Sequence, residues 1–267
     1  MPDVCPPSLV NGFSAILPLA FALIPLYALE VIISTSTGGA MGICSGFMAI
    51  LSAPLNALTS VPGMFVLCGF AALLWCFGIH GNMVLVSVIL PMSIQAATAN
   101  AAAYAAGGYD ALVFYPIALY GSMAICGGTG NTLPLLIFGL KAKSEQIKAI
   151  SKIALIPGWF GINEPVTFGM PIMYNPILCI PYVLNIFVVM LCTLIGYKVG
   201  FLVPGFVPIV TLMPMGFKSF LSTLRWQNAI WDYLMIIPAG LVWYPFFKVY
   251  DNQLYNKEQE ALAAEAE

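Results

Sequence analysis

Ile153-Ala154-Leu155-Ile156-Pro157-Gly158-Trp159-Phe160-Gly161-Ile162-Asn163-Glu164-Pro165 sets one carboxylate inside an apolar run that continues to Ile172. Glu164 is the only acidic or basic side chain between Ile153 and Tyr197. A charge at membrane depth costs about 2.5–3.5 kcal/mol even on the lenient insertion scale, so it is kept there by a task or a partner. The run is interrupted at Pro157-Gly158 and again from Gly161 to Pro165, which leaves two halves, each shorter than the roughly 20 residues a full crossing needs. Upstream, Tyr109 to Leu140 repeats the design: it is apolar but split by Gly127-Gly128-Thr129-Gly130-Asn131-Thr132. Non-helical backbone at such depth survives only when buried in protein or lining a wet cavity.

Between the two broken segments, Lys141, Lys143, Lys148 and Lys152 face only Glu145, so the loop from Lys141 to Lys152 is expected on the cytoplasmic side. Outward from this centre the chain reads as lipid-solvated: 61% of residues are hydrophobic and 7% charged, with a mean hydropathy of +0.95, far from an ordinary soluble domain. The expected fold is an all-α integral membrane protein, with several transmembrane helices plus two re-entrant helical hairpins. Spans are expected over Phe13–Ile33, Pro62–Ile79, Asn82–Ala106, Pro176–Val199 and Trp231–Phe247, and a weaker one over Phe201–Leu221, which carries Pro204, Pro208 and Pro214. Ile43–Leu58 reads as a short or interfacial helix, and the polar segment from Lys248 onward as a fraying cytoplasmic helix. Trp231, Trp243 and Tyr244 suit interface belts.

The net charge of −2, without a basic, aromatic-rich stripe, excludes a nucleic-acid partner. Seven dispersed cysteines match neither a metal site nor a disulfide framework, so no metal and no cofactor is expected. Met1 to Val10 lacks Lys and Arg and makes a poor signal-peptide start.

His80 and Glu164 are the groups that can carry chemistry. Two structural readings compete: His80 as a helix-end histidine bonded to a carbonyl, and Glu164 as a carboxylate capped by N–H groups where Pro165 starts a helix. Gly127 to Thr132 offers backbone N–H groups with Thr129, Asn131 and Thr132 to a hydroxyl-rich ligand or an anion, or it is simply a tight turn. No Gly-Lys-Ser/Thr follows, so it is not a Walker loop. A sugar needs donors, acceptors and an apolar ring face. His80, Asn131, Asn163, Glu164 and Trp159 offer these, with Trp159 read more readily as packing or a lipid-side anchor than as a sugar platform. Paired broken segments also mark the binding site of secondary transporters, in which Glu164 would be an ion site.

The ordered set Gly127 to Leu133, the lysine loop, Ile153 to Gly158, Gly161 to Pro165, and Phe168-Gly169-Met170-Pro171 to Asn175-Pro176 closely resembles the enzyme IIC permeases of the lactose/cellobiose family of the phosphoenolpyruvate-dependent sugar phosphotransferase system. Trp75 to Gly81 and Ala101 to Gly107 are similar to further motifs of that family, and Val4-Cys5-Pro6-Pro7 with Phe13-Ser14-Ala15 to its central linker. The resemblance implies that residues 1–250 form the C-terminal, substrate-binding half of such a domain, with 251–267 a polar cytoplasmic tail and a dimerising first half lacking a counterpart. It implies a multi-pass protein of a bacterial plasma membrane that binds a β-linked disaccharide such as cellobiose, chitobiose or lactose. By that resemblance Glu164 is the catalytic residue, with His80, Asn82, Gly128, Thr129, Asn131, Asn163 and Glu164 as sugar contacts. The partners it implies are the sugar, the lipid bilayer, a homodimer mate and a cytoplasmic IIB protein, whose phosphocysteine supplies the phosphoryl group. One departure stands out: Val210-Thr211-Leu212-Met213-Pro214 has Thr211 where the family usually has Trp, and Trp226 lies further along. An ion-coupled transporter and an inactive permease fragment remain the alternatives.

Overall fold

The structure is a computed structural model that describes the backbone of residues 7–39, 41–43 and 59–266, with side chains from residue 18 to residue 264 within those limits. It divides into two compact units, Met1–Ala57 and Leu58–Glu267. In the first, helix α1 (Pro7–Ser36) runs through Pro18 and Pro25, and covers the span expected over Phe13–Ile33. None of its side chains from Pro18 to Ser36 is buried. Glu30 near its end accepts the Ile43 N–H at 2.5 Å, which closes the following turn. The helix expected over Ile43–Leu58 and the linker-like Val4-Cys5-Pro6 lie outside the described residues, apart from Ile43.

The second unit begins with α2 (Val61–Cys76), started by Ser60 Oγ accepting the Gly63 N–H, and α3 (Gly81–Gly107). Two 3-10 stretches, Gly108–Ala111 and Pro116–Ala124, lead to the glycine turn, and α4 (Leu133–Gly139) leaves it. Helix α5 (Glu145–Trp159) returns, α6 (Glu164–Gly169) follows the second break, and α7 (Pro176–Lys198) crosses between α2 and α10. Then come α8 (Phe217–Thr223), α9 (Trp226–Leu234) and α10 (Ile236–Ala266). All regular elements among the described residues are helical. Four helical segments are long and apolar enough to cross a bilayer: Pro18–Ser36, Gly81–Ala111, Pro176–Lys198 and Trp226–Ala264.

The two broken segments form the predicted helix-break-helix pair. Their arms α4 and α5 have 7 and 15 residues, about 10 and 22 Å at 1.5 Å per residue, against a hydrocarbon core of about 30 Å. They pack side by side, and α10 covers α4.

Four expectations are corrected. The lysine stretch is a loop only to Ser144; Ser144 Oγ accepts the Ile147 N–H and starts α5, so Lys148 and Lys152 are helical. Pro157-Gly158 does not break α5. The helix ends instead at Gly161 (φ +82°), where Ile162 N–H bonds the Pro157 carbonyl and Gly161 N–H the Gly158 carbonyl, the Schellman arrangement that glycine permits at low cost. Phe201–Leu221 is no span: residues 200–216 are irregular, since three prolines among Gly200, Gly205 and Gly216 remove donors and favour turns. The polar tail does not fray, because α10 continues to Ala266. There Asp251 accepts the Lys143 and Ser144 N–H groups, while Glu258 accepts the Ser144 hydroxyl and the Glu145 and Gln146 N–H groups.

Candidate functional site

His80 and Glu164 are held by two copies of one local device. Phe77-Gly78-Ile79-His80 ends α2 as Phe160-Gly161-Ile162-Asn163 ends α5: Ile79 N–H bonds the Leu74 carbonyl and Gly78 N–H the Trp75 carbonyl, with Gly78 at φ +82°. The residue after each glycine-isoleucine pair then begins the next helix, His80 for α3 and Asn163 for α6. His80 Nδ1 accepts the Met83 N–H at 3.2 Å. That bond places the ring proton on Nε2, which points at Glu164 Oε1, 3.6 Å away. The ring leans on Trp75, centroids 4.2 Å apart. The histidine therefore sits at a helix end, as one structural reading had it, but it accepts a backbone N–H there rather than bonding a carbonyl, and it is also a donor aimed at the carboxylate. The capping alternative for Glu164 fails, because the Val166 and Thr167 N–H groups go to the Asn163 carbonyl. Glu164 sits at the helix start with its side chain 44% exposed.

The tips of the two hairpins touch. Asn163 Nδ2 donates to the Thr129 carbonyl at 2.9 Å and to Tyr182 Oη at 3.3 Å. Gly128 adopts φ +77° against the Gly161 carbonyl and the Asn163 side chain. Asn131 is fully buried: its Oδ1 accepts the Cys126 N–H and its Nδ2 donates to the Ser122 carbonyl. Thr129 and Asn163 are buried too. In this conformation Asn131 and Asn163 satisfy the exposed backbone of the turns, as irregular peptide groups in a bilayer require, and His80 and Glu164 are the half-open pair.

A cavity of about 460 Å³ lies beside the pair, within the usual range for small-molecule sites. His80 and Glu164 do not line it, but Asn82 and Gly161, close to each in sequence, do. Asn82 Oδ1 accepts the Tyr120 hydroxyl on this wall. Trp159 also faces it and donates from Nε1 to Tyr233 Oη at 3.4 Å. The irregular segment that replaces the expected span supplies the facing wall, including Thr211 and Met213.

Three contributors escaped the sequence reading. Trp243, expected in an interface belt, is fully buried and donates to the Gly130 and Asn131 carbonyls at 3.2 and 3.1 Å. Tyr182 braces Asn163 from α7. Asp232, a second acid in an apolar stretch, reaches the cavity wall from α9. Only Asp232 carried a signal in the sequence, its charge. Among the described residues no cluster of His, Cys, Asp or Glu could hold a metal ion.

The sequence profile of the family described as "Phosphotransferase system, EIIC" matches residues 1–185. The lichenan permease IIC component of Bacillus subtilis strain 168 is 31% identical over 97% of this chain and 58% of its own length. The lactose-specific EIICB component of the phosphotransferase system in Streptococcus mutans is 30% identical over 97% of this chain and 46% of its own length. Among solved structures, the transporter ChbC, the IIC component of an N,N'-diacetylchitobiose-specific phosphotransferase system, superposes with a TM-score of 0.74 at 29% identity, covering 97% of this chain and 60% of its own. The chain thus spans about half to three-fifths of the length of these relatives. With a match over more than half of its residues, and the same helical architecture as a solved IIC transporter, the chain belongs to the phosphotransferase-system EIIC family.

Proposed function

We propose that this chain binds and translocates a β-linked oligosaccharide in the plasma membrane of a bacterium, coupled to phosphorylation by a cytoplasmic IIB protein. The observation that carries the reading is the meeting of Glu164 and the Nε2–H of His80 where two half-length hairpins touch, beside a cavity of ligand size. Lichenan, lactose and diacetylchitobiose in the relatives' names support the sugar class. Residues 1–250 would form the substrate-binding part and 251–267 a cytoplasmic tail, working with a dimerising half of the kind that the relatives' extra length can supply.

In this reading His80 donates to a sugar oxygen and Glu164 accepts from the primary hydroxyl. As the S–P bond of the IIB phosphocysteine breaks and the O–P bond forms, the hydroxyl proton passes to Glu164. Asn82 meets the sugar on the cavity wall, while Gly128, Thr129, Asn131 and Asn163 shape the tips around it.

Glu164→Gln tests this. It keeps the size of the side chain and removes the charge, so membrane insertion is expected to persist while sugar binding and phosphoenolpyruvate-dependent phosphorylation fall at least about a hundredfold, the usual scale for a positioned acid–base group. Unchanged kinetics would reject the role. Free sugar accumulating under an ion gradient, with no phosphosugar formed, would favour the ion-coupled transporter.

A further inference from the structure

Helices α4 and α10 leave a groove of about 330 Å³ between them. Ile137 and Phe138 from α4 and Ile237, Gly240, Leu241 and Tyr244 from α10 line it. Ile137, Ile237 and Leu241 are exposed, so the groove opens outward. Gly240 keeps the space clear: a Cβ there would stand 3.3 Å from Phe138 Cζ. Spread over the seven residue steps from Ile237 to Tyr244, about 10 Å at 1.5 Å per residue, the volume gives a cross-section of about 30 Å². A helix with its side chains is about 10–12 Å across and does not fit, whereas an extended hydrocarbon chain does. One end of the groove is basic. Lys248 Nζ lies 5.0 Å from the centroid of the Tyr244 ring, and the Lys141 N–H bonds the carbonyl of Phe138. The two walls run in the same direction, since Gly240 faces Pro134 and Phe138, Phe138 also meets Phe247, and the Lys143 N–H reaches Asp251. Both lysines therefore come to the same end. Both are exposed, and neither forms an ion pair among the described residues. The carboxylates of Asp251 and Glu258 at that end are committed to the 143–146 backbone and the Ser144 hydroxyl, and Lys143 Nζ is held by Asn252 Oδ1.

We propose that this groove binds an anionic phospholipid, with one acyl chain lying along α4 and α10 and the phosphate at Lys141 and Lys248. An apolar slot that ends in two unpaired ammonium groups matches a molecule with a hydrocarbon chain and an anionic head, and basic sites between membrane helices take such headgroups. Because α4 is the arm that leaves the glycine turn, the bound lipid braces that hairpin against α10. The site is independent of the sugar reading.

The test is titration of the full chain in detergent micelles with phosphatidylglycerol or phosphatidylcholine of the same acyl chains, read by native mass spectrometry. The unsubstituted chain is expected to bind phosphatidylglycerol more tightly. Lys141→Gln and Lys248→Gln should each weaken that lipid by about fivefold, the scale of one basic residue at an anionic surface, and leave phosphatidylcholine unchanged. Lys152→Gln, which removes an exposed lysine of α5 away from the groove, should change neither. Gly240→Leu fills the groove and should weaken both lipids; if it fails to fold, Leu241→Ala, which removes an exposed part of the wall, should do the same. Equal binding of the two lipids by the unsubstituted chain would overturn the proposal. So would a loss for Lys152→Gln as large as for the two groove lysines, which would show a diffuse basic surface, or unchanged binding in the groove variants. A lipid-free dimer that Gly240→Leu or Leu241→Ala abolishes would assign the groove to a second copy of the chain and overturn it as well.

Discussion

The two nitrogens of His80 do different work, so the two roles can be separated by mutation. Asn in its place can still accept the Met83 N–H and start α3, because Asn is a strong N-cap, but it loses the Nε2 donor that faces Glu164. His80→Asn is expected to keep thermal stability and lose about fivefold in sugar affinity, as for one neutral hydrogen bond to a sugar oxygen. His80→Ala should lose that affinity and about 1 kcal/mol of stability from the missing cap. Melting and binding curves on the pair check this, and equal stability of the two would deny the cap. Gly128 is as exacting for a steric reason. A Cβ there would stand 2.6 Å from the Gly161 carbonyl at a φ that L side chains avoid, so Gly128→Ala should separate the tips and cost more than the roughly 1–2 kcal/mol of left-handed strain alone. At Gly161, which has the same φ sign but open space, Ala should cost only the strain. His80 and Glu164 were legible in the sequence because each is the lone ionisable group in a long apolar stretch. The inward turn of Asn131 was not, since an amide that holds a turn and an amide that holds a sugar have the same composition.

At the scale of elements, the breaks were readable but their positions were set by hydrogen bonds the sequence reading weighed wrongly. Proline at Pro157 falls in the last turn of α5, where the chain is about to leave the helix, so the glycine four residues on decides the end. The same Phe-Gly-Ile triplet at 77–79 and 160–162 was present in the sequence as a repeat, and it predicts the two sharp corners that aim His80 and Asn163. What no local pattern carried was the pairing of α10 with the start of α5, which joins residues more than a hundred apart in sequence through Asp251 and Glu258. Because α5 leads directly to the Glu164 break, the clamp is expected to set the pose of that hairpin. Asp251→Ala leaves the Lys143 and Ser144 N–H groups without their carboxylate and should cost about 1–3 kcal/mol, seen as a lowered melting temperature. A variant that melts like the unsubstituted chain would show that water replaces the carboxylate without loss.

Over the second unit as a whole, charge and helix direction agree on one orientation. Helices α7 and α10 run antiparallel: Tyr182 meets Trp243 and Asn185 Nδ2 donates to the Ala239 carbonyl, while Trp231 Nε1, on α9 just before α10, donates to Thr193. The Lys198 end of α7 therefore lies opposite the end where α10 clamps Lys143. At 23 residues, α7 is about 34 Å long, enough to cross a core of about 30 Å. Six of the nine basic residues, Lys141, Lys143, Lys148, Lys152, Lys248 and Lys257, gather toward the clamped end, whereas Lys198, Lys218 and Arg225 lie elsewhere. By the positive-inside rule the clamped end is expected in the cytoplasm, where the IIB partner of the proposed function would be. Single cysteines at Lys141, Glu260 and Lys198, all exposed positions, test the arrangement with a membrane-impermeant thiol reagent, against the unsubstituted chain as background. Lys141→Cys and Glu260→Cys should react in inside-out vesicles and Lys198→Cys in right-side-out ones. Reaction of all three from one side would mean that α7 does not cross, and exchange of the two sides would mean that the lysines do not set the orientation.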